Sequence, residues 1–217
     1  MTTASELNLK ELVDDLFSTY REIAKHIGIE VDLRLLPGTT ESAIARFERD
    51  RNVHFPPSYR EFLKLYNGWI GFLGSFSLIG VLSQDFEEAL NAIDLVKAEF
   101  ARCWAANRNS TDPTYIRDYE AGGANTGATL AEAHIYLPTK AIFGVGYAGH
   151  FLFFDERTRT SAGEMEVVHL SPDWELQARY DNFEQMLRDY YVGQHLQLEI
   201  HVNHELQQQA KKPRRKR

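Results

Sequence analysis

Residues 36–68, Leu36 to Gly68, read LPGTTESAIARFERDRNVHFPPSYREFLKLYNG. Pro37 and Gly38 mark a turn. Either Thr39 or Thr40 can then accept from the unpaired amides of a helix entered at Glu41, where the helix dipole favours a carboxylate. Ile44 and Phe47 give that helix an apolar stripe. Pro56 and Pro57 stop it, because proline lacks the backbone donor and clashes with the preceding turn, yet Pro57 suits the first turn of a second helix. Tyr59, Phe62, Leu63 and Tyr66 recur there at helical spacing, and Asn67-Gly68 is the predicted end. The stretch predicts two short helices joined by a proline elbow, with side chains for packing and none for catalysis.

Leu36-Pro37, Thr40-Glu41, Ile44, Val53, Phe55-Pro56-Pro57, Tyr59-Arg60, Phe62-Leu63 and Asn67-Gly68 together resemble the N-terminal motif of the SUKH superfamily. That group includes a fungal cell-wall regulator and many bacterial toxin-immunity proteins. FGVGYAGHFLFFD, from Phe143 to Asp155, resembles the family's glycine-marked strand pair ending in Asp, and RYDNFEQMLRDYY, from Arg179 to Tyr191, resembles its closing helix. The resemblance spans about half of the chain. It assigns Leu36, Pro37, Pro56, Pro57, Tyr59, Phe62, Leu63, Asn67 and Gly68 a structural part.

The 217 residues are enough for one domain with an insertion, and 43% hydrophobic with 12% aromatic residues supply a core. No apolar run approaches the ~20 residues of a membrane span. The first fifteen residues lack the basic and apolar segments of a secretory signal, so the expected location is the cytoplasm. The single cysteine, Cys103, lies in an apolar helical context and reads as a small hydrophobe. Net charge is −7, but the closing KKPRRKR holds six of the 24 Lys and Arg, leaving 18 bases against 31 acids, a body of net charge −13. Such a body repels phosphate backbones and attracts basic partners, although negative charge also simply favours solubility. The tail itself reads as a solvated segment, with an electrostatic arm for nucleic acid as the alternative.

Residues 6–27 place Leu9, Leu12, Val13, Leu16, Tyr20 and Ile23 on one face of a predicted helix, closed by Gly28. Alternation over Ile29–Leu35 predicts a strand, and Trp69–Leu82 predicts one or two more. Ser83 can cap a helix over about residues 84–107. Residues 107–133 lose all periodicity and form the predicted irregular insertion. Tyr136–Val145, His150–Asp155 and Glu164–Leu170 follow as strands, and Trp174 to about Gln209 as helix. The expected fold is α/β or α+β, a single sheet of about five or six strands flanked by helices. Residues 1–193 form the expected domain, with 194–217 a helical extension and basic tail.

Chemistry is sparse. GGANTGAT lacks the lysine of a phosphate-binding loop, and Asn109-Ser110-Thr111 is a sequon without meaning in a cytoplasmic chain. His195, His201 and His204 lack companions for a metal set and read as solvent-facing. His150 and His169 can meet on neighbouring strands, but no nucleophile motif accompanies them. Glu164 and Glu166 alternate along one strand, as paired carboxylates or, more commonly, as a solvated face. The sequence thus calls for no catalytic residue, metal or cofactor.

The resemblance implies a binding protein. Its bacterial form implies immunity, in which a small cytoplasmic protein blocks a secreted polymorphic toxin, often a nuclease or deaminase. The alternative is a regulatory scaffold of the fungal type. Contacts to a basic toxin are expected from loop residues Tyr115, Asp118, Tyr119 and Glu120 and from the hairpin pair Asp155 and Glu156, because loops vary while a sheet stays fixed. TYIRDYE packing as a helical turn is the competing reading. Membrane contact and, apart from the tail, nucleic-acid contact are not expected, and the oligomeric state is open.

Overall fold

The computed structural model describes residues 4–74, 76–81, 83–106, 141–146, 149–171 and 176–211. Helix α1, Leu9–Ile27, starts at Asn8, whose side chain accepts from the Glu11 amide while the Glu11 carboxylate accepts from the Asn8 amide. This reciprocal cap satisfies two of the unpaired N–H groups at the helix start. Gly28 ends the helix in the left-handed conformation. The predicted strand after it is shorter and later, β1 at Arg34–Pro37.

The two-helix element forms as α2, Glu41–Arg51, and α3, Pro57–Leu65. Thr40 is the residue that caps, accepting from the Ala43 amide at 3.3 Å. Gly38 lies where α3 passes so close that a Cβ would fall 2.0 Å from the Lys64 carbonyl oxygen. Thr39 N–H donates to the Leu63 carbonyl there, at 3.0 Å. Arg60 reaches from α3 to Glu41 and Glu48 on α2. Glu48, 8% exposed, also accepts from the Phe55 amide at 2.8 Å, so one buried carboxylate holds the proline elbow.

Asn67-Gly68 does not end α3. The helix stops at Leu65, and both residues belong to strand β2, Tyr66–Phe72. Gly68 has φ +100°, and a Cβ there would lie 2.4 Å from the Phe86 ring and 2.7 Å from the Leu78 carbonyl oxygen, so no other residue fits. Buried Asn67 accepts from the Val81 amide at 2.8 Å and ties down the chain beyond β3, Phe76–Leu78. The next helix begins later than its sequence pattern, because Ser83–Phe86 is a 3-10 turn leading into α4, Glu87–Ala106.

Strands β4, Ala141–Gly146, β5, Phe151–Asp155, and β6, Glu166–Leu170, follow. A further strand, β7 at Leu176–Tyr180, replaces the start of the predicted closing helix, so among the described residues the sheet has seven strands rather than five or six. LQARY has helix-favouring composition, but pairing Val167 with Tyr180 and Val168 with Arg179 overrides that weak local preference. Asn182 then starts α5, Phe183–Lys211, accepting from the Gln185 amide at 2.8 Å. The insertion predicted at residues 107–133 lies outside the described residues.

Strands β1 to β7 pair antiparallel in chain order, an α+β arrangement with helices on both faces. One face packs Leu12, Leu16, Tyr59, Phe62, Phe183 and Leu187 from α1, α3 and α5 against Trp69, Phe72, Phe143, Leu152 and Phe154. The other packs Phe86, Leu90 and Ile93 against Ile142, Phe151, Phe153 and Val168. FLFFD is apolar at every residue up to Asp155 because alternate side chains meet different helical layers. Among the described residues, no helix is long and apolar enough to cross a membrane.

Candidate functional site

Between α4 and strands β1 to β4 lies a groove of about 560 Å³. Ile70, Phe76 and Val145, with Gly71, Gly74 and Gly146, line the sheet side, and Phe86, Ala89 and Ala92 line the opposite side. Asp32, Asp85 and Glu88 also line it, with Arg34 the one base among the described residues. Arg34 donates to Asp32 at 3.0 Å and to Asp85 at 3.3 Å. These groups are about half exposed, so the pairs are weak and a basic side chain can join or displace Arg34. Apolar contact below and excess negative charge above suit a lysine- or arginine-bearing protein segment. A second groove, of about 690 Å³ between α2 and α4, has the opposite sign, with Arg46, Arg49 and Arg51 against Asp50. Asp94 holds Arg51 through both carboxylate oxygens, at 2.7 and 2.8 Å.

The hairpin pair separates in the structure. Asp155 is a buried residue, its side chain 1% exposed, and it accepts from Arg157 at 2.6 and 2.8 Å and from Arg179 at 3.5 Å. Arg179 also pairs with Glu166. β5 turns the Asp155 side chain inward toward two guanidiniums, whereas the sequence reading expected it to face a partner. Glu156 is half-buried and lies near Lys97 of α4, whose pKa burial pushes down while Asp94 and Glu156 oppose that shift. Tyr115, Asp118, Tyr119 and Glu120 lie outside the described residues.

Glu164 and Glu166 are both engaged. Glu164 accepts from the Ser58 amide at 2.9 Å and the Ser58 hydroxyl at 2.7 Å, which places a carboxylate at the positive end of α3. His150 and His169 do meet, with Nδ1 to Nε2 at 3.1 Å. Burial, and secondarily His150, pushes the His169 pKa down from 6.5 to about 4. On α5, His195 is turned toward α1, with Nε2 3.2 Å from the Thr19 hydroxyl and 3.4 Å from Asp15. Val192, Leu196 and Ile200, four residues apart, form an exposed apolar stripe on α5. Among the described residues, no group of three His, Cys, Asp or Glu gathers to hold a metal.

The groove combines residues of β2 and β3, of the 3-10 turn before α4 and the first turns of α4, and of the end of β4 with Asp32 and Arg34, which no sequence motif links. The glycines of IGFLGSF are a signal that could have pointed here, since a strand glycine often marks the close approach of another segment. The sequence model of the SMI1 / KNR4 family (SUKH-1) matches residues 38–189, more than half of the chain. The chain belongs to the SMI1 / KNR4 family. The SUKH-1 match runs from the Gly38 crossing, through the proline elbow and the Asn67-Gly68 corner, into α5. It thus takes in β2 to β7, while α1 and β1 precede it. No curated protein matches the chain.

Proposed function

We propose that this SUKH-1 protein is an immunity protein that binds and neutralises a basic secreted toxin, a nuclease or deaminase, in the cytoplasm of the cell producing it. The observation that carries this reading is the acid-lined groove between α4 and the sheet, with Asp32, Asp85 and Glu88 over an apolar floor. A toxin that handles phosphate presents basic side chains, and this groove offers them charge and contact area together. The body's net charge of −13 adds long-range attraction. The protein acts by occlusion and turns over no substrate. Tyr115, Asp118, Tyr119, Glu120 and Glu156 extend the contact beyond the groove.

Charge sets the association rate in this reading, while desolvated apolar and aromatic contacts set the dissociation rate. Purification of the tagged protein with the product of its neighbouring gene should return a one-to-one complex that lacks toxin activity. In surface binding kinetics, raising salt from about 50 to 500 mM should slow association several-fold and leave dissociation nearly unchanged. Tyr119→Ala should do the reverse. Failure to form the complex, or salt acting mainly on dissociation, would remove the proposal.

A further inference from the structure

We propose that His150 and His169 form a binding site for a divalent transition-metal ion of the zinc type, a clip between β5 and β6. The two side chains are diagonal neighbours on one face of the sheet, because His169 pairs with Leu152 and His150 is two residues before it. Their facing nitrogens, Nδ1 of His150 and Nε2 of His169, are 3.1 Å apart, and the rings are tilted by 51°. Two imidazole nitrogens each ~2.0–2.1 Å from a tetrahedral zinc ion are about 3.3–3.4 Å apart. Opening the pair by a few tenths of an ångström therefore changes a hydrogen bond into a chelate.

The neighbouring side chains hold both rings in place. Phe76 meets His169 edge-on with centroids 5.3 Å apart and His150 at 6.1 Å. Gly146 donates its N–H to the His150 carbonyl at 2.7 Å, and a Cβ there would press on both His150 and Phe76 at 2.8 Å. Both rings are half-buried, so water can complete the coordination shell. In the metal-free pair, one facing nitrogen carries the shared proton. When the ion binds, that proton moves to the outer nitrogen of the same ring, which stays neutral as a ligand must. Imidazole donors select Zn2+, Cu2+ or Ni2+ over Mg2+ and Ca2+.

The test uses the full-length chain, ZnCl2 as probe and MgCl2 as control. The chain also carries His201 and His204 three residues apart on α5, so the titration is run on the His201→Ala/His204→Ala background as well. Calorimetry should show one saturable Zn2+ site, retained on that background, with Zn2+ but not Mg2+ raising the thermal unfolding midpoint. His150→Ala and His169→Ala should each weaken binding at least about 10-fold and abolish the zinc-dependent rise. His169→Gln, which keeps a polar side chain at the position, should do the same while its metal-free unfolding midpoint shows that it still folds. Absence of a saturable site, undiminished binding in these variants, or loss of binding on the α5 background would each overturn the site.

Discussion

Asp155 closes β5 with two arginine side chains against it, which makes it a structural carboxylate. Removing one member of a buried ion pair leaves its partners unsatisfied, so Asp155→Ala should cost about 3–5 kcal/mol. Urea unfolding should report this as a lower midpoint at unchanged slope. A midpoint equal to the parent's would show that Arg157 and Arg179 do not depend on Asp155. Glu48 is the comparable residue in the proline elbow. Glu48→Ala should lose about 2–3 kcal/mol, whereas Glu48→Gln, which still accepts from Phe55, should lose about half as much by the same measurement. Neither role was legible in the chain. Arg179 comes to Asp155 through the β6–β7 register, and Glu48 meets Phe55 and Arg60 only when the elbow closes. Asn67 was legible as a punctuation mark, but as the end of a helix, because its partner at Val81 is a long-range backbone group.

Helix α3 was the most readable element, since Pro57 fixed its start and Tyr59, Phe62 and Leu63 its buried face. Phe62 has no exposed surface and packs against Tyr59, Tyr66 and Phe183. Phe62→Ala should open a cavity and cost ~3–5 kcal/mol in thermal or urea unfolding. An unchanged transition would contradict the packing of α3 under the sheet. Strand β7 was the least readable element, because its residues favour helix and only an edge partner makes them extended. The β5–β6 pair supplies a pH test, made with a chelator present. The His169 pKa lies near 4 in the fold against 6.5 ordinarily, so the unfolded chain takes up its proton first as pH falls. Stability should hold above pH 6.5, decline from there toward pH 4, and lose nothing more to this group below that. The midpoint of urea unfolding across that range checks the sign, and His169→Gln should flatten the decline.

For the molecule as a whole, sequence charge set the sign of the proposed partner but not where it would bind. The fold places acids from two separate segments over one apolar floor, and an opposite-signed groove lies between α2 and α4. Asp85→Lys combined with Glu88→Lys should slow capture of the cognate toxin about tenfold at low salt and leave unfolding nearly unchanged. The same pair of changes at Arg46 and Arg49, each to Glu, should not slow capture. Helices α1 and α5 lie side by side, joined by Arg188 at the Leu7 carbonyl, Tyr191 at Asp15 and His195 at Thr19. That pairing has a consequence during synthesis. The ribosome makes α1 early, yet more than 150 residues separate its end from the start of α5. At ~5–20 residues per second, roughly ten to thirty seconds pass before the mate of that apolar face is made. A nascent chain in this state exposes the α1 face that α5 later covers, and on the proposed immunity reading it neutralises a toxin only once α5 has joined α1.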